Sequence, residues 1–484
     1  MKLGELINGI DVISVNADTD MEIKGVCYDS RKAQDGFLFV AVSGFKTDGH
    51  GYIPSAVSKG ASVIVCEKKP QTDIPYVLVT DCRMALALIS RNFFGSPADG
   101  MTVIGVTGTN GKTTSTYLLK HMLETKFGAK VGLVGTNGNM IGESFIHSDR
   151  TTPESYELYE LFSEMRDAGC THVVMEVSSH SLVLNRVAGA HFDVGIYTNL
   201  TQDHLDFHKD MDDYAAAKSR MFTVCTKGCF NADDEWMPKI RGNADRGCMY
   251  YSINKKEGLY ADDISLLPTG VSFTAHYEGQ TAEVSLCIPG RFSVYNALGV
   301  MLAGIALGMS LSDCAEALKT AEGVKGRMET VPTDGDYTIV IDYSHTPDAL
   351  ANALRALRLD SGGHRLVALF GCGGDRDNTK RPVMGKIAAE LADFVIVTSD
   401  NPRTEDPQSI IDEIMTGIDT DKTDCLVICD RVEAIHRAID IHEPGDIILL
   451  AGKGHEDYQE IGGTKRHLDE REVVAEYIEK RKNK

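Results

Sequence analysis

The run VIGVTGTNGKTT at residues 103–114 constrains this chain more than any other segment. An apolar, β-branched stretch passes directly into a glycine-rich turn, and a lysine with two hydroxyl residues then opens a helical pattern. That order reads as a strand–loop–helix unit, the building block of a helix-covered parallel sheet. The turn also has a chemical consequence. Gly108 and Gly111 let backbone N–H groups around Thr109 and Asn110 converge on an anion, and the helix N-terminus adds positive potential. Lys112 would reach the β- and γ-phosphates of a nucleotide, and Thr113, followed by Thr114, would offer its hydroxyl to Mg²⁺. The strict pattern GxxxxGK[ST] is not met, because Val106 stands where its first glycine would be. The segment reads as a nucleoside triphosphate site with an unusual loop.

The rest of the chain extends the pattern. Strand-like runs at 130–135, 171–177 and 192–200 alternate with helical ones such as 154–168, which predicts a central domain at 99–328 built on a parallel sheet. A second alternating series at 337–342, 347–357, 365–371, 382–392, 393–400 and 446–452 predicts a Rossmann-like α/β domain at 329–484. Residues 1–98 carry short strand-like runs at 36–42 and 61–67 and end in the turn-rich GSPADG. The expectation is therefore an α/β chain of three domains.

Composition narrows the partners. A formal charge of −21 opposes a nucleic-acid or anionic-membrane partner, since both demand a basic face. No apolar run reaches the roughly 18–20 residues needed to span a bilayer, and the start MKLGELINGIDVISV lacks the layout of a signal peptide. A cytoplasmic protein without membrane insertion is expected. The twelve cysteines include no CxxC pair; Cys225 and Cys229 have a spacing that zinc could use, but single thiols in a reducing compartment fit better.

Three further segments carry chemistry. In MEVSSHSL, Glu176 falls at the carboxyl end of a strand, where α/β sheets present ligands, and a carboxylate there suits Mg²⁺. TNLTQDHLDFH supplies His204 and His208, but Leu205 stands where a zinc protease needs glutamate. YAAAKSRMF supplies Lys218. The glycine-rich FGCGGDRDNTKRPVMG looks like a dinucleotide fingerprint until Arg376, which occupies the position of its last glycine; a nicotinamide cofactor is not expected.

Taken together, GTNGKTT, EVSSH, TNL-x-x-DHLDxH and YxxAK resemble the Mur ligases, and within them the MurE branch, over about residues 25–460. The resemblance implies an ATP-dependent ligase that forms an amide on a UDP-linked cell-wall precursor, expected to be a monomer acting on small molecules only. It implies a UDP-substrate-binding first domain, a central ATP-binding domain and a C-terminal amino-acid-binding domain. Glu176 and His204, with Thr113, would hold Mg²⁺, and Lys218 would be carbamylated by CO₂ and complete the metal's surroundings. Lys112, Lys218, His204 and Glu176 would form the catalytic set. Asn296, Arg327, Asp342, His345 and Lys380 would complete the ATP site. Ser30 and Arg31 in YDSRKAQDGFLFVA would meet the uridine nucleotide. Thr151 and Thr152 of RTTPE, with Ser178 and Arg186, would meet the muramoyl-peptide part. Read without the family, Thr151–Pro153 is a helix start with Glu154 in the first turn.

The segment SDNPRTEDP bears on which amino acid is added. DNPR (Asp400, Asn401, Pro402 and Arg403) resembles the signature of relatives that add meso-diaminopimelate. That amino acid carries a distal carboxylate, which an arginine fork binds bidentately, whereas lysine presents none. Arg376, Asn401 and Arg403 would hold it, with Gly452 and Glu456 of AGKGHE at its far end. The implied reaction activates the D-Glu γ-carboxylate of UDP-N-acetylmuramoyl-L-alanyl-D-glutamate as an acyl phosphate, which the amine then attacks. The alternatives are the lysine-adding ligase of the same branch, folylpolyglutamate synthetase, which shares the phosphate loop, and a P-loop ATPase acting on a macromolecular partner.

Overall fold

The computed structural model describes residues 1–484 apart from 45, 46, 72, 149, 206, 243–246, 268, 269, 361, 483 and 484, and the side chains of 359 and 360. The chain is α/β throughout, with three sheets of five, eleven and six strands and one two-stranded hairpin among the described residues.

The first sheet runs Val12–Asn16, Tyr76–Val79, Val63–Cys66, Phe37–Val40, Gly25–Cys27, parallel except for its first, antiparallel edge. Val63–Cys66 is buried at every position, as a strand covered on both faces must be. The helix Cys82–Phe93 covers one face; it starts where the Asp81 carboxylate accepts from the Arg83 and Met84 N–H groups.

In the eleven-stranded sheet the middle is parallel. Val131–Gly135, His172–Glu176, Thr102–Thr107, Phe192–Tyr197, Cys225–Asn231, Cys248–Ser252 and Leu259–Leu267 lie side by side. Both flanks turn antiparallel, through Gly138–Ile141 and Ser144–Ile146 on one side and Gly270–Tyr277 and Gln280–Leu286 on the other. The expectation of a parallel sheet therefore holds for its middle and fails at its edges. At the outermost pair of one flank the cause is local: Glu278 and Gly279 both take positive φ, 48° and 78°, and close a two-residue hairpin that leaves no room for a crossover helix.

The third sheet orders Glu329–Val331, Tyr337–Asp342, Asp446–Ala451, Leu366–Phe370, Phe394–Val397, Asp424–Val427, parallel but for the first pair. Asp446–Ala451 and Leu366–Phe370 are buried at every residue. The hairpin Tyr458–Ile461 with Thr464–His467 leans on this unit through the bridge Arg403–Ile461. No described helix is long and apolar enough to cross a membrane.

Candidate active site

The site grows from the end of the strand Thr102–Thr107, where the loop 108–111 turns into the helix Lys112–Phe127. Gly108 has φ 152°, and a Cβ there would fall 1.8 Å from the Thr198 hydroxyl, so only glycine fits the approach of the neighbouring strand end. Gly111, at φ 86°, abuts the buried Asn296 carboxamide in the same way. Thr109 bonds the Thr201 carbonyl and the Tyr214 hydroxyl, and the Asn110 N–H donates to Asn199. Lys112 Nζ lies back over its own loop, donating to the carbonyls of Gly108 at 3.0 Å and Thr109 at 2.8 Å. Thr113 Oγ1 donates to Glu176 Oε1 at 2.9 Å and accepts from Arg327 at 3.1 Å; Thr114 is buried beside it.

Glu176 is the hub. It is 1% exposed, and its carboxylate accepts from Thr113, the Thr136 N–H at 2.8 Å and the Thr136 hydroxyl at 3.0 Å. Thr136 in turn bonds Thr151. Thr152 donates to the Glu176 carbonyl at 2.8 Å and accepts from the Ser178 N–H, and Arg186 donates to the Thr152 carbonyl. The residues expected for the phosphate and muramoyl-peptide subsites thus form one hydrogen-bonded network. The neighbouring helix is Ser155–Asp167, so Glu154 is its N-cap residue rather than part of its first turn. Its carboxylate is taken up by Arg186 at 2.8 Å and Arg150 at 3.1 Å, which fixes the chain ahead of the helix.

Lys218 projects from the helix Met211–Ser219 and is 1% exposed. Its Nζ donates to the Gly108 carbonyl at 2.8 Å and lies 4.5 Å from the Tyr214 ring centre. Among the described residues no carboxylate pairs with it. Burial, and secondly the nearby Lys112 charge, push its amine well below the ordinary lysine range. Burial lowers Lys112 also.

His204 stands differently. Its side chain is 44% exposed, φ is 55°, and its ring packs edge-on against His180 at 4.9 Å and Tyr214 at 6.1 Å. No group of three His, Cys, Asp or Glu side chains suited to a metal occurs among the described residues. Glu176 and Thr113 share a bond, and Lys218 meets the same loop at the Gly108 carbonyl.

From the segment just ahead of the third sheet, Arg327 reaches Thr113 and lies 5.0 Å over the Tyr343 ring. Asp342 accepts from the Met328 N–H at 2.8 Å and from Ser344. His345 packs on Tyr343, and its carbonyl accepts from Lys380 at 2.8 Å. One participant was passed over in the sequence. Asp348 opens the helix Pro347–Asp360, and its carboxylate accepts from Asn110 at 2.8 Å and Thr201 at 3.0 Å, tying that helix to the phosphate loop. An acidic residue just after a helix-starting proline was the available signal.

Ser30 and Arg31 lie in a short turn capped by Asp29. Ser30 is buried, while the Arg31 side chain is 86% exposed and forks onto Asp29. The structure does not join them to the network around Glu176. Their sheet is tied to the second unit elsewhere, by Tyr28 to Glu157 at 2.8 Å and Asn185 to Asp81 at 3.0 Å.

The DNPR segment follows the strand Phe394–Val397. Asp400, Asn401 and Pro402 are buried, and Arg403 takes φ 53°. The Arg403 guanidinium donates to the Gly374 carbonyl at 2.7 Å and stands 3.5 Å from Glu460. Asn401 donates to Glu456 at 2.8 Å. Gly452, at φ 114°, passes so close to the Asp400 carboxylate that a Cβ would stand 2.4 Å from it. Arg376 is exposed on the loop facing them. Two groups beneath went unnoticed in the sequence: Lys453, fully buried, and the buried pair Arg431–Glu470 at 2.8 Å.

Comparison with known proteins agrees along the chain. Residues 22–93 match the Mur ligase family catalytic domain, 106–304 the Mur ligase middle domain and 326–454 the Mur ligase glutamate ligase domain. A Clostridium tetani protein named UDP-N-acetylmuramoyl-L-alanyl-D-glutamate–2,6-diaminopimelate ligase is 44% identical over 99% of both chains. A Clostridium acetobutylicum protein of that name, numbered 1, is 45% identical over 99% of both. A solved structure of a ligase of the same name has a TM-score of 0.73 at 30% identity, covering 100% of this chain and 99% of that one.

Proposed function

The chain belongs to the Mur ligase family, and from that premise we propose that it joins meso-diaminopimelate to the D-Glu γ-carboxylate of UDP-N-acetylmuramoyl-L-alanyl-D-glutamate, with ATP converted to ADP and phosphate. The reaction is a step of peptidoglycan precursor synthesis. The observation that carries the choice of amino acid is Arg403 beside Asn401 and Glu456, on a background of 44% identity to a ligase of that name.

The γ-carboxylate attacks the terminal phosphorus of ATP, a new O–P bond forms, and ADP leaves. Charge on the transferring group must be neutralised; Lys112 would swing from its own loop carbonyls onto the phosphates, and Arg327, which bonds the adjacent Thr113, would assist. The oxygens of Glu176 and Thr113 are hard donors of the kind Mg²⁺ requires, so they, with His204, would hold that ion, which supplies further charge neutralisation when bound. In the second half, the amine of diaminopimelate attacks the acyl carbon, the amide bond forms, and phosphate leaves with the electron pair of the broken C–O bond. Ser30, Arg31, Thr151, Thr152, Ser178 and Arg186 are assigned to the UDP-linked substrate, and Asn296, Asp342, His345 and Lys380 to ATP.

A neutral, buried amine is the form that adds CO₂, losing a proton as its N–C bond forms. Lys218 meets that requirement, being buried against a carbonyl and an aromatic face. Its carbamate would turn a cation into an anion near the phosphates.

The test is phosphate release with each of the three substrates omitted in turn. Release should require all three; release from ATP and the UDP-dipeptide alone at the full rate would overturn the assignment.

A further inference from the structure

Beneath the residues assigned to diaminopimelate lies Lys453, with 0% of its side chain exposed. Its Nζ donates to Asn401 Oδ1 at 2.9 Å and to Glu456 Oε2 at 2.8 Å, and the Tyr458 ring centre lies 5.2 Å away. An ammonium has three N–H groups, and two carbonyl-type oxygens and an aromatic face take them up. Lys453, with none of its side chain exposed, is out of a ligand's reach. Its effect must pass through the two groups it holds.

Those groups are locked in a definite sense. Asn401 Oδ1 also accepts from the Glu460 N–H at 2.9 Å, and its Nδ2 donates to Glu456 Oε2 at 2.8 Å. The carboxamide is thus oriented at both ends, with its oxygen toward the ammonium. Glu456 Oε2 receives both Lys453 and Asn401, so Oε1 is the carboxylate oxygen that no described hydrogen bond occupies. Arg403 stands at the other wall, with Glu460 at 3.5 Å.

We propose that Lys453 is a specificity-determining positioning residue: it holds Asn401 and Glu456 so that Glu456 presents one oxygen to the substrate's distal ammonium, and it offsets the Glu456 charge. The proposal rests on the assignment of this pocket to diaminopimelate. Without the Lys453 charge, the Glu456 carboxylate keeps its bond to Asn401 but is no longer offset, and Asn401 loses one of the three hydrogen bonds that orient it. The pocket then becomes more negative, which disfavours an amino acid with two carboxylates and favours one with a single carboxylate and a cationic end.

The experiment is a double-substitution cycle with Lys453→Met and Glu456→Gln, measured by phosphate release with meso-diaminopimelate and with L-lysine. Lys453→Met alone should raise KM for diaminopimelate about 10- to 100-fold, as the loss of charged hydrogen bonds does, with KM for ATP changed less than about 3-fold. The ratio of kcat/KM for diaminopimelate over lysine should fall. In the Glu456→Gln background, Lys453→Met should add less than about 3-fold. If Lys453→Met does not fold, Lys453→Gln, which keeps a donor at that depth, takes its place in the same cycle. Equal penalties with and without Glu456→Gln, or equal rises in KM for ATP and diaminopimelate, would overturn the role of Lys453 while leaving the ligase assignment standing. A parent enzyme that released no phosphate with diaminopimelate would remove both.

Discussion

The phosphate-loop region and the amino-acid pocket each bury one lysine completely, and they do so under opposite conditions. Lys453 is matched to the carboxylate of Glu456 and the carbonyl of Asn401. Among the described residues Lys218 meets the Gly108 carbonyl and the Tyr214 face, and burial and the Lys112 charge outweigh the attraction of Asp203. A buried amine with no carboxylate bonded to it gives up its proton more readily, because the low-dielectric surroundings penalise the charged form. One lysine is thereby left nucleophilic and the other made a fixed part of the framework. Identical side chains acquire different chemistry from their partners.

The largest effect expected concerns a second matched group below the pocket. Arg431 and Glu470 are both 0% exposed, and Arg431 also donates to the carbonyls of Ser399 and Ala451, the residues that precede Asp400 and Gly452. Arg431→Met alone should cost about 3–5 kcal/mol in chemical denaturation by stranding Glu470, while Arg431→Met with Glu470→Met should cost far less. A small cost for the single change would mean that matching is not what the pocket depends on.

Next is Lys218→Met, which should lower kcat about 10²- to 10³-fold, the size of losing one preorganised electrostatic group, with little change in melting temperature. Added short carboxylic acids should restore part of the rate if the lysine acts as a carbamate. Unchanged kcat would remove the chemical half of the contrast.

A smaller effect sharpens the contrast through pH. The folded pKa of Lys218 lies below its unfolded value of about 10.4, so between the two the unfolded chain binds a proton that the folded chain does not. Stability of the CO₂-free protein should therefore rise with pH across that window. Lys218→Met should remove that slope. A slope that persists in the variant would assign it to other groups. The smallest effect belongs to an exposed pair: Asp29→Asn, which frees Arg31, should change stability by less than about 1 kcal/mol.

These contrasts mark how far the sequence could be read. The strand–loop–helix at 102–127 was legible because its order of residue types has few structural solutions. The hairpin edges were not, since Glu278–Gly279 is a weak turn signal until both residues are seen at positive φ. Thr152, Ser178, Arg186 and Glu176 were named from motifs, but their common network depends on strand ends brought together by the sheet. Lys453 stayed hidden inside AGKGHE because a lysine between glycines reads as solvated; Asn401, which meets it, is 52 residues away in sequence. Arg431 and Glu470 similarly read as ordinary helix-surface charges and meet only in the fold.

The most direct test of the assignment is the mass of the UDP-linked product formed from ATP and UDP-N-acetylmuramoyl-L-alanyl-D-glutamate with meso-diaminopimelate and L-lysine present in equal amounts. The expected result is a product carrying diaminopimelate alone. A product carrying lysine would contradict the part given to Arg403, and the absence of any ligated product would contradict the ligase assignment itself.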